Sequence, residues 1–204
     1  ARAGRSGEPP APGEGPHASD VGPPLHLRGT SAVLVALFEE GGEVRTVLTR
    51  RSAALRTHTG QVSFPGGRVD PGEHVVDAAR REAAEEVGLD ADRVRPFGWL
   101  RPVATYSSGS LIVPVVGALA VPPALRPNPA EVARVFDVPL AALAADGVFH
   151  EERWTVPGRP APGSADGWFP VWFFDVAGET VWGATARVLY ELLCLVLGVA
   201  PPTA

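Results

Sequence analysis

Three glutamates, Glu82, Glu85 and Glu86, stand within five residues in "GRVDPGEHVVDAARREAAEEVGL", residues 67 to 89. On a helix Glu86 lies about 40° from Glu82, and Glu85 about 60° to the other side, so all three share one strip of surface. Like charges at this spacing cost a few tenths of a kcal/mol per pair. The compensation is one of three things: flanking arginines, bulk water or a bound cation. Ion pairing can be written directly, since Asp77 reaches Arg81 and Arg81 reaches Glu85 at i,i+4. A hard cation is the other chemistry, because Mg²⁺ takes carboxylate oxygens, waters and substrate phosphates together. The glycines of "PGG" just upstream could bring a backbone carbonyl close to such an ion.

The charge upstream favours the cation. From Val44 to Val69 there are five arginines (Arg45, Arg50, Arg51, Arg56 and Arg68) and His58, with no Asp or Glu. A basic strip ahead of an acidic helix suits metal-assisted cleavage of a diphosphate: arginines hold the anion and the helix holds the metal. The alternative for Arg45, in a hairpin, is simple solvation.

Helix and strand patterns must position these groups. "SAVLVALF" and "VRTVLT" flank "EEGGE" and read as a β-hairpin. "QVSF" reads as a further strand, and Gly66-Gly67 after Pro65 as a tight turn. Asp70 with Glu73 resembles a capping box, so a helix is expected from about Pro71. Val76, Ala79, Ala83 and Val87 form its apolar face and Gly88 its C-cap. "RVRPFGWL", "LIVPVVGALAV", "RVFDV", "GVFHEERWTV" and "WFPVWFFDV" read as strands. A last helix is expected from about Thr185 to Leu197, with Val188, Leu189, Leu192, Leu193 and Val196 as its core stripe. Helices between strands predict an α/β sandwich around a mixed sheet.

The whole chain narrows the classes of function. It has 204 residues, a net charge of −5 and a pI near 5.5, which argues against general nucleic-acid or anionic-membrane binding. Every basic residue other than histidine is arginine. The single Cys194 excludes an internal disulfide, and its apolar setting predicts a buried, inert thiol. The longest uncharged apolar stretch, residues 111–125, is broken by prolines and falls short of the roughly 20 residues needed to span a membrane. Eleven of the first 24 residues are Pro or Gly, so residues 1–28 are expected to form a flexible tail and residues 29–200 the folded domain.

The glutamate segment resembles the signature of the Nudix hydrolases. Gly67, Glu73, Arg81, Glu82, Ala83, Glu85, Glu86, Gly88 and Leu89 match it, Ala83 being small where a larger apolar residue is common. "LTRRSAALRTHTGQVSFPGG", residues 48–67, resembles the additional motif of the coenzyme A diphosphatase branch. Leu48-Thr49, Arg51-Ser52, Leu55-Arg56, His58, Gly60 and Phe64 to Gly67 match that pattern. The resemblance extends over roughly residues 30–198.

It implies a Nudix α/β/α sandwich and hydrolysis of coenzyme A or its derivatives to 3′,5′-ADP and 4′-phosphopantetheine, with Mg²⁺ or Mn²⁺. The resemblance makes Glu82 and Glu86 metal ligands, Glu85 a third ligand or the residue that binds the attacking water, and Gly66 a carbonyl ligand. Glu73 and Arg81 brace the loop and helix. Glu131, in "NPAEV", stands where many members place a further catalytic glutamate; a surface loop acid is the other reading. Arg51 and Arg56 are the expected phosphate contacts, and His58 either touches substrate or holds its loop. A small-molecule substrate, a cytoplasmic setting and a possible homodimer complete the expectation. Another nucleotide, such as ADP-ribose or a dinucleotide, is the alternative substrate, and a catalytically silent nucleotide-binding module the more distant reading.

Overall fold

A computed structural model describes residues 29–54, 59–105, 110–155 and 168–200. The expected tail lies outside them, as do Arg56 and His58. The chain opens on β1 (Thr30–Glu40) and β2 (Glu43–Arg51), an antiparallel hairpin in which Glu40 faces Glu43. Gly41 and Gly42 both take positive φ, 63° and 82°, as the tight two-residue turn requires. Two short strands follow, β3 (Val62–Ser63) and β4 (Gly66–Arg68), then helix α1 (Val75–Val87). Next come β5 (Arg95–Trp99), β6 (Val103–Ala104), β7 (Leu111–Ala118) and β8 (Val132–Pro139). The chain ends with α2 (Leu140–Leu143), β9 (Phe149–Thr155), β10 (Trp168–Val176), β11 (Glu179–Trp182) and α3 (Gly183–Leu197).

Strands β1 to β8 form one mixed sheet. β1 runs parallel to β7 and antiparallel to β2 and β4, while β8 lies along the other edge of β2. β9, β10 and β11 make a separate antiparallel sheet. Side chains of β1 alternate between two cores, as a strand buried on both faces requires. Ala32, Leu34, Ala36 and Phe38 pack with Val76, Ala79, Ala83 and Val87 of α1. Val35, on the opposite face, joins Leu48, Phe136 and Phe174 with Leu189 and Leu192 of α3. The result is the expected α/β/α sandwich, with the small sheet sharing the α3 layer.

Several boundaries differ from expectation. Helix α1 starts at Val75 because Gly72, at φ 83°, stands outside the helical region. His74 is its N-cap, accepting the Val76 N–H at 3.3 Å. Glu73 still reaches back to the Asp70 N–H, at 3.0 Å, but inside the turn that precedes the helix. Gly66-Gly67 is strand β4 and not a turn. A Cβ at Gly66 would overlap the Ala32 carbonyl and Val33 Cα of β1, so only glycine permits this pairing. Gly88 closes α1 in the left-handed conformation, φ 66°, as its position predicts. α3 begins at Gly183, and Val196 is 58% exposed, outside the stripe assigned to it. Cys194 is buried. Among the described residues no helix is long and apolar enough to cross a membrane.

Candidate active site

The acidic strip of α1 is sorted by depth. Glu85 is exposed, Glu82 is largely covered, and Glu86 is only 3% exposed. Burial follows from position: Glu86 lies beside Val87 and one turn beyond Ala83, on the edge of the helix that faces the sheet. Its Oε2 accepts the Gly66 N–H at 3.1 Å, and Arg51 Nη1 lies 3.5 Å from Oε1. The β1–β4 register explains the first contact. Pairs Leu34–Pro65 and Thr30–Val69 are hydrogen-bonded, so Gly66, opposite Val33, turns its N–H and C=O away from β1. Gly67 fits against Glu82 so closely that a Cβ would collide with its carboxylate.

Arg81 organises the outer half. It donates from Nε and Nη2 to the two oxygens of Glu73, at 2.9 and 3.0 Å, and from Nη2 to the Arg68 carbonyl at 3.1 Å. Its Nη1 reaches Glu82 at 2.9 Å and Glu85 at 3.3 Å. One planar guanidinium therefore fixes the β4–α1 loop to the helix. The hydrogen bond from Arg81, reinforced by the Asp70 N–H, holds the Glu73 carboxyl below the usual range. The pairing raises Arg81 in turn.

Glu131 arrives from a distant stretch of chain. The loop before β8 caps the end of α1, where helix carbonyls lack partners. Arg126 N–H donates to the Val87 carbonyl at 2.7 Å and Asn128 N–H to the Glu86 carbonyl at 2.8 Å. The Glu131 carbonyl accepts the Ser52 N–H at 2.8 Å. A β-bulge between Arg50 and Arg51 leaves Ala133 as the additional residue on β8 and sets Arg51 opposite Val132. Glu131 and Arg51 are thereby brought to the same end of the sheet as Glu86. Sequence reading overlooked Asn128 and Ser52 as anchors; the Asn128-Pro129 pair was the available turn signal.

Burial pushes the Glu86 carboxyl up to about 7, against the Gly66 hydrogen bond and the Arg51 charge that lower it. Glu131 and Glu82 push it further up. Glu82 is also raised, first by burial, with Arg81 opposing and Glu85 and Glu131 adding to the rise. The Arg51 Nε is buried and, among the described residues, has no hydrogen-bond partner. The site thus holds carboxylates short of counter-charge beside an arginine with an unused donor.

This donor set fits a hard divalent cation: Glu82, Glu86 and the Gly66 carbonyl offer only oxygen. As placed, no three acidic or histidine side chains among the described residues close on one point. Glu82 is engaged by Arg81 and Glu86 by Gly66 and Arg51, bonds that an ion would compete with. Of the other basic residues, Arg45 is not simply solvated, as its hairpin position had suggested: its side chain is only 21% exposed and pairs with Asp137, Glu43 and Glu40. Arg50 turns to the opposite sheet face.

A carboxylate helix, a glycine strand against it and an arginine thus meet at one end of the sandwich. The comparisons give the family. A model of the NUDIX domain matches residues 28–158. An uncharacterised Nudix hydrolase, NudL, of Photorhabdus laumondii is 38% identical over 147 residues, covering 72% of this chain and 74% of that protein. NudL of Shigella flexneri is 39% identical over 181 residues, 87% of each chain. Among solved structures, the Nudix hydrolase RenU of M. smegmatis superposes with a TM-score of 0.50 at 26% identity, over 57% of this chain and 74% of that one. The chain belongs to the Nudix hydrolase family.

Proposed function

We propose that this chain hydrolyses the diphosphate of coenzyme A or its derivatives, yielding 3′,5′-ADP and 4′-phosphopantetheine, with Mg²⁺ or Mn²⁺ as cofactor. One observation carries the reading: Arg51, from the segment that resembles the coenzyme A diphosphatase motif, lies 3.5 Å from Glu86 of the Nudix helix. That contact supports reading the two motifs as parts of a single site.

Arg51 grips the diphosphate through donors of its planar fork. Glu82, Glu86 and the Gly66 carbonyl would hold the metal, with Glu85 as a third ligand or as the group that orients water. When bound, the cation supplies charge neutralisation and a water of lowered pKa. A water oxygen bonds to phosphorus, the anhydride P–O bond breaks, and the electron pair leaves on the second phosphate. Glu131 or Glu85 takes the water proton. Arg56 and His58 complete the substrate contacts in this reading.

The test is mass spectrometry of products after incubation with coenzyme A and Mg²⁺, beside a Glu86→Gln variant. Wild type should release 3′,5′-ADP and 4′-phosphopantetheine, and the variant should be slower by roughly 100-fold or more. Intact coenzyme A alongside cleaved ADP-ribose or a dinucleotide would replace the substrate. Undiminished turnover by Glu86→Gln would remove the helix from the chemistry.

A further inference from the structure

Arg50 and Arg134 face each other directly across the β2–β8 ladder. Like charges opposed in this way repel, and a sheet does not place them so without compensation. The compensation is one carboxylate. Glu179, at the start of β11, accepts from Arg50 Nη1 at 3.3 Å and from Arg134 Nη1 at 2.8 Å through the same oxygen, Oε1. Arg134 Nη1 also lies 3.4 Å from the Ala177 carbonyl, and its guanidinium sits 4.8 Å above the Phe136 ring. Two positive charges thus share one negative charge, an excess of one cation in a chain whose net charge is −5. Glu179 is nearly covered, at 9% exposure, whereas Arg50 and Arg134 remain 43% and 42% exposed. Among the described residues each guanidinium donates only through Nη1, which leaves several of its five N–H groups for an anion.

Place matters as much as charge. Arg50 precedes Arg51 in the chain, and the bulge that brings Arg51 to Glu86 begins between them. Arg134 is three residues beyond Glu131. Both arginines therefore lie at the end of the sheet that carries the candidate active site, on the face turned to the small sheet. A ligand with one phosphate group at Arg51 and a second, more distal one would bridge the sheet end. Arg50 also stands outside the pattern of the coenzyme A motif, so this pair is a feature of the chain's own tertiary structure.

We infer that Arg50 and Arg134 form an anion subsite for a phosphate monoester on the nucleotide half of the substrate, the 3′-phosphate in coenzyme A. The inference rests on the coenzyme A reading above. Glu179 fixes the two guanidiniums side by side and tempers their repulsion until the phosphate arrives, while its burial keeps it from moving away.

Steady-state kinetics with coenzyme A and with 3′-dephospho-coenzyme A test this in wild type, Arg50→Gln, Arg134→Gln and Glu179→Gln. Wild type should favour coenzyme A in kcat/KM by about tenfold, as a charge-assisted contact allows, and each arginine variant should lose most of that preference through KM. Rates with the dephospho substrate should stay within about twofold of wild type. Glu179→Gln keeps both arginines and removes the competing charge, so KM for coenzyme A alone should fall by about two- to threefold. Equal losses on both substrates would mean that the cluster only braces the small sheet and would overturn the subsite. Equal rates for both substrates in wild type would overturn it too. Failure of wild type to cleave either compound, with ADP-ribose turned over, would instead sink the coenzyme A reading and take the subsite with it.

Discussion

Glu86 is the residue on which depth and charge meet. Its carboxyl titrates near 7 in the fold against 4.5 ordinarily, so the folded protein holds the proton longer than the unfolded chain. The sign follows directly. Below pH 4.5 both states are protonated and Glu86 contributes nothing; as pH rises to 7 the unfolded state ionises first and stability falls. In chelator, Glu86→Gln should therefore be more stable than wild type at pH 8, by about 1–3 kcal/mol, with no gain at pH 4.5. Calorimetric Tm values at the two pH values check this, and Mg²⁺ should narrow the gap at pH 8 by binding the folded wild type. A difference independent of pH would show that this carboxyl does not titrate in the window. The identities of the three helix glutamates were readable from the chain; their unequal burial was not, because depth depends on which helix edge meets the sheet.

At the scale of elements, β4 and α1 work as a unit because glycine lets them touch. Gly67 has no room for a Cβ: one placed there would lie 2.6 Å from Glu82 Oε1. Gly67→Ala should push the Glu82 carboxylate out of line and lower kcat/KM by about 10–100-fold, the range found when groups that orient ligands are lost. Far-ultraviolet circular dichroism should show the fold retained; activity within twofold of wild type would mean that Glu82 adapts without cost. β4 escaped sequence reading for the same physical reason. A strand of Gly66, Gly67 and Arg68 has no alternating side chains, and its strand character comes from β1 alongside it. The amphipathic pattern of α1 was legible, but its first residue was not, since the left-handed Gly72 sets the start.

Across the whole molecule, two cores hold three layers, and Phe174 of β10 lies fully buried where the small sheet meets the main one. Phe174→Ala should cost about 3–5 kcal/mol through lost transfer energy and the cavity left behind. Denaturant titration would show it as a shifted midpoint at unchanged slope; a loss under about 1 kcal/mol would mean that the small sheet adds little to global stability. The sequence by itself determined the hairpin, the apolar stripes of α1 and α3, the acidic strip and the basic segment before it. Each is written in residues within a few turns or one strand of each other, where a period of 2 or 3.6 fixes direction. Only tertiary structure decided that Arg51 meets Glu86, that Arg50 is sent to the opposite face beside Arg134, and that Glu131 joins the helix. These outcomes depend on strand pairing and a bulge between segments far apart in the chain, and no local periodicity encodes which distant strand will pair with which.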